Sequence, residues 1–192
     1  MKLWTEYYGH EKQIKGKRKK YDCNIYTLDI ETTSYLIVNG KQRNATEYLS
    51  LTEKEQAECK KQGCMYIWMF GINGDVYYGR TWNELEFFLD MLENVVPEQK
   101  FLFIHNQSFE FQFMKSVFSY SDVTARKSHK VMISILKNYN ITIKCSYYMS
   151  NCALKYLTDL YNLPVKKMVG DLDYSLIRTP ATELTEQEMR LL

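Results

Sequence analysis

The order of its apolar runs limits this chain more than any other property. Short runs rich in β-branched and aromatic residues alternate with stretches whose apolar residues recur every three or four positions. Residues 21–30 include Ile25, Tyr26, Thr27, Leu28 and Ile30 and predict a strand. Residues 65–70 and 76–79 flank Asn73-Gly74-Asp75, the signature of a β-hairpin with a type I′ turn. Trp82, Leu85, Phe88, Leu89 and Leu92 keep helical spacing, so 82–94 predicts an amphipathic helix, with Pro97 breaking the chain after it. Phe101-Leu102-Phe103-Ile104 is a continuous apolar run, the pattern of a strand buried on both faces. Helical spacing returns over 105–118 through Phe109, Phe113 and Val117. Within 123–148, residues 131–136 and 141–146 read as antiparallel strands on either side of Lys137-Asn138. A helix over 152–162 stops at Pro164, and Thr185 with Glu188 makes a capping box that opens a last helix. Strands alternating with helices and hairpins imply an α/β fold with a mixed sheet flanked by helices. The polar stretch 34–62, with its own capping box at Thr52-Glu53-Lys54-Glu55, reads as an excursion from that core.

With 192 residues, the chain is long enough for one self-sufficient core. A 45% apolar, 25% charged composition argues against a disordered or fibrous chain. There is no run of about 18 uncharged apolar residues, which excludes a helical membrane span, and no membrane partner is expected. The opening Met1-Lys2-Leu3-Trp4-Thr5-Glu6 lacks the apolar region of a secretory signal. An odd set of cysteines (Cys23, Cys59, Cys64, Cys145 and Cys152) then points to free thiols and a cytoplasmic location. No Cys-x2-Cys pair occurs, and His10, His105 and His129 stand at no zinc-ligand spacing from the cysteines.

Charge is unevenly placed. Lys12, Lys15, Lys17, Arg18, Lys19 and Lys20 put six positive charges into nine residues. Taking these from the 25 basic residues leaves 19 against 23 acidic ones, a body of net −4. Residues 1–20 are therefore a basic N-terminal arm. It reads either as a solvated tail or as an arm that meets phosphate, chiefly through Lys17, Arg18, Lys19 and Lys20.

Two stretches carry the candidate chemistry. In Leu28-Asp29-Ile30-Glu31-Thr32-Thr33, Asp29 and Glu31 lie two apart on a strand, so both carboxylates leave one face. The residues read either as a solvated strand end or as ligands for hard divalent ions such as Mg²⁺ or Mn²⁺, which take oxygen donors. The second stretch, Phe103-Ile104-His105-Asn106-Gln107-Ser108-Phe109-Glu110-Phe111, ends a strand and begins a helix. Asn106 there suits a helix cap and Glu110 a first-turn acid. In the functional alternative, Glu110 is a third carboxylate at the same sheet edge, and His105, Asn106 and Phe109 form a polar and stacking surface for a nucleotide. Most of the 16 tyrosines suit strands and half-buried faces; Tyr7, Tyr8, Tyr147 and Tyr148 are the ones placed to stack on bases.

Asp29-Ile30-Glu31-Thr32-Thr33, followed by His105-Asn106-x-x-Phe109-Glu110, resembles the first two exonuclease motifs of DEDD-superfamily proofreading domains. The closest likeness is to protein-primed family B DNA polymerases of phages and linear plasmids. Leu163-Pro164-Val165-Lys166-Lys167 and Gly170-Asp171-Leu172-Asp173-Tyr174 look like the segment those polymerases carry before their third motif. The likeness covers residues 21–192 and is lowest over 34–62. It implies a ribonuclease H-like fold and 3′→5′ removal of nucleotides from single-stranded DNA. Asp29, Glu31 and Glu110 would hold two divalent metals, Mg²⁺ or Mn²⁺. Thr32, His105, Asn106, Phe109 and Leu154 would contact the DNA end. The polymerase part and a terminal protein are the implied partners, and the compartment becomes the cytoplasm of a host cell.

The sequence departs from that family at three points. Position 110 is Glu where the family has Asp, and one methylene moves a carboxylate by roughly 1.5 Å, enough to cost a positioned site about a hundredfold. The Ser or Thr expected before Leu154 is Ala153. The third motif, Tyr-x-x-x-Asp, does not occur at the end of the chain, which reads as ending just short of it; Asp171 and Asp173 are candidate substitutes for its acid. The expectation is weak or absent nuclease activity for the isolated chain. The alternatives are a non-catalytic nucleic-acid-binding module of the same fold and, ranked below it, an RNA-directed nuclease.

Overall fold

A computed structural model describes residues 1–7, 20–164 and 172–192. Two compact units emerge, Met1–Ile30 with Trp68–Lys167, and Glu31–Ile67 with Met168–Leu192. The elements in chain order are β1 (Lys2–Leu3), β2 (Tyr26–Val38), β3 (Lys41–Asn44), α1 (Glu53–Glu58), β4 (Lys60–Ile72), β5 (Asp75–Gly79), α2 (Trp82–Val95), β6 (Lys100–Ile104), α3 (Ser108–Met114), β7 (Tyr120–Ala125), β8 (Val131–Leu136), β9 (Ile141–Cys145), α4 (Ser146–Ser150), α5 (Leu154–Leu160) and α6 (Glu186–Leu191). Strand order is β1-β5-β4-β2-β6-β9-β8-β7, with parallel pairs β1·β5, β2·β6 and β6·β9 and antiparallel pairs β4·β5, β8·β9 and β7·β8. This is the α/β mixed sheet flanked by helices that the sequence implies.

In the first unit the hairpin forms where Asn-Gly requires it: Asn73 and Gly74 both take positive φ, 50° and 97°, between β4 and β5. Thr81 caps α2, and the Glu84 carboxylate accepts from the Arg80 and Thr81 amides, which holds that carboxyl below its ordinary range against the opposing effect of burial. α2 buries Leu85, Phe88, Leu89 and Leu92. Phe88 meets Tyr7, Trp68, Phe70 and Tyr77 at ring-centroid distances of 5.1–5.9 Å. Tyr7 is thus a core residue and not a base-stacking one, and Tyr8 lies outside the described residues. Trp68 sits opposite Gly79 in the β4·β5 register, and its indole donates to the Thr81 carbonyl at 2.9 Å. A Cβ at Gly79 would run into that rigid indole. Gly79→Ala is expected to cost about 2 kcal/mol of stability, read by denaturant unfolding.

Several boundaries differ from the sequence reading. Residues 21–25 form no strand beyond a single parallel bridge from Tyr21 to Gln99, and β2 begins at Tyr26. β6 is buried through Leu102 and Ile104, while Phe101 and Phe103 are only half-buried, so the run is not covered on both faces. Phe101 lies between the Tyr21 ring, stacked at 5.5 Å, and the Lys144 ammonium, 3.9 Å from its centroid. The helix after β6 spans Ser108–Met114 rather than 105–118, because residues 105–107 make a turn with Asn106 at φ 64°. α4 takes over at Ser146, and the expected 152–162 helix shortens to Leu154–Leu160.

The second unit contains residues 34–62, the polar excursion of the sequence reading, and gives them regular structure. β2 does not end near Ile30 but runs on to Val38 and pairs antiparallel with β3. Leu36, Val38 and Leu51 form a buried cluster with Cys59 packed against it. The capping box at Thr52 does open a helix, α1. In the 172–192 segment, Arg178 is 3% exposed and donates from Nε and Nη2 to Glu188 Oε1 at 3.0 and 2.6 Å, and from Nη1 to the Asp173 carbonyl at 2.6 Å. Its guanidinium stands 6.0 Å from the centroid of the Tyr66 ring. Burial, with the Glu31 carboxylate adding to it, pushes the Tyr66 phenol up to about 12. Thr33, also buried, donates to the Leu176 carbonyl at 3.4 Å. All five cysteines are free thiols. Among the described residues, no helix is long and apolar enough to cross a membrane.

Candidate nucleic-acid site

β2 and β6 run parallel, with Tyr26 opposite Leu102 and Thr27 opposite Phe103. β6 and β9 are parallel too, ending together at Ile104 and Cys145. The chain therefore turns twice at one edge, at 105–107 and at 146.

At that edge His105 Nδ1 is 3.1 Å from Ser146 Oγ, and its ring meets Tyr147 edge-on at 5.8 Å. Asn106 is exposed and uses backbone, not side chain, at the helix start: its carbonyl accepts from the Phe109 amide at 3.0 Å. Gln107 occupies the cap position without a side-chain cap bond, so the expected Asn106 cap is not formed. The left-handed φ of Asn106, a conformation asparagine tolerates, is what aims the chain into α3. Phe109 is exposed, and its ring leans on Phe113 at 5.4 Å. Glu110 is in the first turn, as expected, but only 3% exposed.

Sequence reading missed what anchors this turn. Gln107 is 1% exposed and its amide donates to Ser134 Oγ on β8 at 2.6 Å. Ser108 Oγ accepts from the Val131 amide at 2.9 Å. Ser134 is a hydroxyl inside the apolar run Val131–Leu136, and a buried hydroxyl needs a partner. That was the available signal.

The remaining candidates fall elsewhere. Asp29 is exposed and its Oδ1 accepts from the Ile30 amide at 3.1 Å. Asp29 and Glu110 belong to the first unit, whereas Glu31 and Thr32 belong to the second. Asp29 and Glu31 occupy the interior of a 13-residue strand, not its C-terminal end. Leu154 is exposed and opens α5, whose cap, Ala153, offers no side-chain bond. The Asp173 carboxylate serves a local turn: the Ser175 hydroxyl, and then the Ser175 amide from which it accepts at 2.8 Å, lower its pKa. Lys20 is exposed, and its carbonyl accepts from the Gln99 amide at 3.0 Å. Lys17, Arg18, Lys19 and Asp171 lie outside the described residues. Among the described residues, no group of three or more His, Cys, Asp or Glu side chains is gathered closely enough to hold a metal ion.

The fold resembles that of Phi29 DNA polymerase. Against that polymerase complexed with primer-template DNA, the TM-score is 0.55 at 14% identity over 87% of this chain. Against the same polymerase complexed with single-stranded DNA it is 0.55 at 15% identity over 88% of this chain. The chain spans 28% of the length of the Phi29 polymerase chains it matches. At such identity the likeness is one of fold. No protein-family model and no curated protein matches the sequence.

Proposed function

We propose that this chain is a 3′→5′ exonuclease-type proofreading module that grips the 3′ end of single-stranded DNA. The observation that carries the reading is the parallel β2·β6 pair, which brings the Asp29 strand beside the strand that delivers His105, Asn106, Phe109 and Glu110. Support comes from the fold likeness to Phi29 polymerase, which has been seen complexed with single-stranded DNA. Asp29, Glu31 and Glu110 offer only carboxylate oxygens, in kind the donors that Mg²⁺ or Mn²⁺ takes. Two such ions, when bound, supply an activated water and stabilise the leaving 3′ oxygen. The chain's own residues hold the strand: the exposed Phe109 ring presents a face for a base, His105 and Asn106 offer polar atoms beside it, and Thr32 and Leu154 add contacts. A basic arm at 17–20 adds salt-sensitive phosphate attraction. A polymerase part and a terminal protein remain proposed partners.

Position 110 carries Glu where the family pattern has Asp, so the isolated chain is expected to digest DNA weakly or not at all. The test follows a 5′-labelled oligonucleotide with Mn²⁺, alongside calorimetric Mn²⁺ titration, for wild type and Asp29→Ala plus Glu31→Ala. The expected result is millimolar Mn²⁺ binding and slow 3′ shortening, both lost in the double variant. Equal behaviour of the two proteins overturns the catalytic assignment. The same departure favours a second reading, a non-catalytic single-strand-binding module; DNA binding without Mn²⁺ binding selects it.

A further inference from the structure

One β-hairpin of the first unit turns through residues that a turn does not ask for. β2 and β3 are joined at Asn39-Gly40, and β4 and β5 at Asn73-Gly74, with positive φ at all four residues. β7 and β8 are joined over residues 126–130, where the Arg126 amide donates to the Lys130 carbonyl and the Lys130 amide to the Lys127 carbonyl, both at 3.0 Å. His129 takes the left-handed φ there, 58°. The segment Arg126-Lys127-Ser128-His129-Lys130 has only Ser128 among the usual turn formers, so turn chemistry does not account for its composition. It carries three cations and no acid, on a body that is net −4 outside the cluster at 12–20. All five residues are exposed, and among the described residues none of the three cations pairs with a carboxylate. Charges that shield an edge strand lie along it, whereas β7 ends at Ala125 and β8 begins at Val131, so these stand beyond the strands.

Sheet topology puts this turn at the candidate site. β6 and β9 end together at Ile104 and Cys145, and β8 is antiparallel to β9 with Ile133 opposite Lys144, so β8 starts at that same edge. There the Val131 amide donates to Ser108 Oγ at 2.9 Å, and Gln107 fastens the same loop to Ser134. Lys130 precedes Val131, and the exposed Phe109 follows Ser108. Covalent geometry around that one bond keeps the Cα atoms of Lys130 and Phe109 within about 12 Å of each other. At 3.4 Å per nucleotide this is no more than about four nucleotides.

We infer that the β7–β8 turn is a phosphate-binding element, in which Arg126, Lys127 and Lys130 hold the backbone of a single DNA strand a few nucleotides from the base at Phe109. This rests on the proposed single-strand-binding reading and adds a contact outside both motifs and outside residues 1–20. Cations fixed beside an exposed aromatic ring suit a single strand, which lays phosphates on the charges and a base on the ring. An acidic protein surface would meet the charges and leave the ring unused.

The test follows the salt dependence of binding by fluorescence anisotropy of a 5′-fluorescein thymidylate octamer, in EDTA so that no strand is cut. The triple variant Arg126→Gln, Lys127→Gln, Lys130→Gln is expected to weaken binding about tenfold or more at about 0.1 M salt. Its slope of log affinity against log salt is expected to fall by about 2, since each single-strand phosphate contact contributes about 0.7. The charge-preserving variant Arg126→Lys, Lys127→Arg, Lys130→Arg is expected to keep the wild-type slope. So is Lys41→Gln, Lys54→Gln, Lys61→Gln, which removes the same charge at exposed residues elsewhere. Equal slopes for wild type and the first variant overturn the inference while leaving the single-strand-binding reading intact. An equal fall in the Lys41, Lys54 and Lys61 variant makes the effect one of net charge and also overturns it. Failure of wild type to bind the octamer overturns both. Binding of a fluorescein octaglutamate that only the first variant loses, with its DNA slope unmoved, overturns the inference in favour of an acidic protein partner. Unchanged circular dichroism in each variant certifies the fold.

Discussion

Replacing Phe88 by alanine is expected to lower the unfolding free energy by about 4 kcal/mol, the upper part of the range for burying and then deleting an aromatic ring. The ring is wholly buried and is the hub where Tyr7, Trp68, Phe70 and Tyr77 converge. Those four neighbours come from the N-terminal segment, β4 and β5, so no single backbone shift closes the space. Packed interiors relax only partly around such a void. Chemical denaturation of Phe88→Ala and Phe88→Leu checks this. Leucine is expected to recover part of the loss by refilling volume, and a change below about 1 kcal/mol for alanine would show that the hub is not packed as described.

Glu188→Ala is the second large effect, with an expected loss of about 3 kcal/mol. Removing the carboxylate leaves the buried Arg178 guanidinium without its ion partner, which is the costly way to break such a pair. The same carboxylate closes the capping box of α6 by accepting from the Thr185 amide at 2.8 Å, so the helix start is weakened as well. The side chain of Glu188 is 20% exposed, which keeps the cost at the low end of the range for buried pairs. Arg178→Met is expected to cost less, because it removes the buried charge instead of orphaning it.

This pair also gives a pH signature. The Thr185 amide first, then Arg178, hold the Glu188 carboxyl at about 2, below its ordinary 4.5. A carboxyl with a depressed folded-state pKa contributes stability that is complete above pH 4.5 and is lost as pH falls toward 2. Thermal unfolding between pH 5 and pH 2 is expected to show a steeper fall for wild type than for Glu188→Gln. Parallel curves would mean that Glu188 does not carry the acid sensitivity.

Where local chemistry decides structure, the sequence is legible. Asn73-Gly74 makes its hairpin because the turn needs two positive φ angles, and the capping boxes at Thr52 and Thr185 open helices because they satisfy amides within one turn. The continuation of β2 was hidden because Thr32, Thr33 and Ser34 interrupt the apolar pattern. Thr33 in that stretch finds its partner far along the chain, the Leu176 carbonyl, and Tyr35–Val38 then pairs with β3 in a local hairpin. The start of α3 was misread because Asn106 looks like a cap in isolation, whereas its left-handed backbone is held by the anchoring of Gln107 and Ser108 on β8.

The sequence by itself determined the α/β class and the elements set by local signals, such as the Asn73-Gly74 hairpin, α2 and α6, since periodicity and short-range capping act within a few residues. Only the tertiary structure decided that Asp29 and Glu31 sit inside a long strand, that Glu110 is buried, and that Tyr7 is core. Each of these depends on which distant segments cover a side chain, and burial is a property of packing between segments that no local pattern encodes.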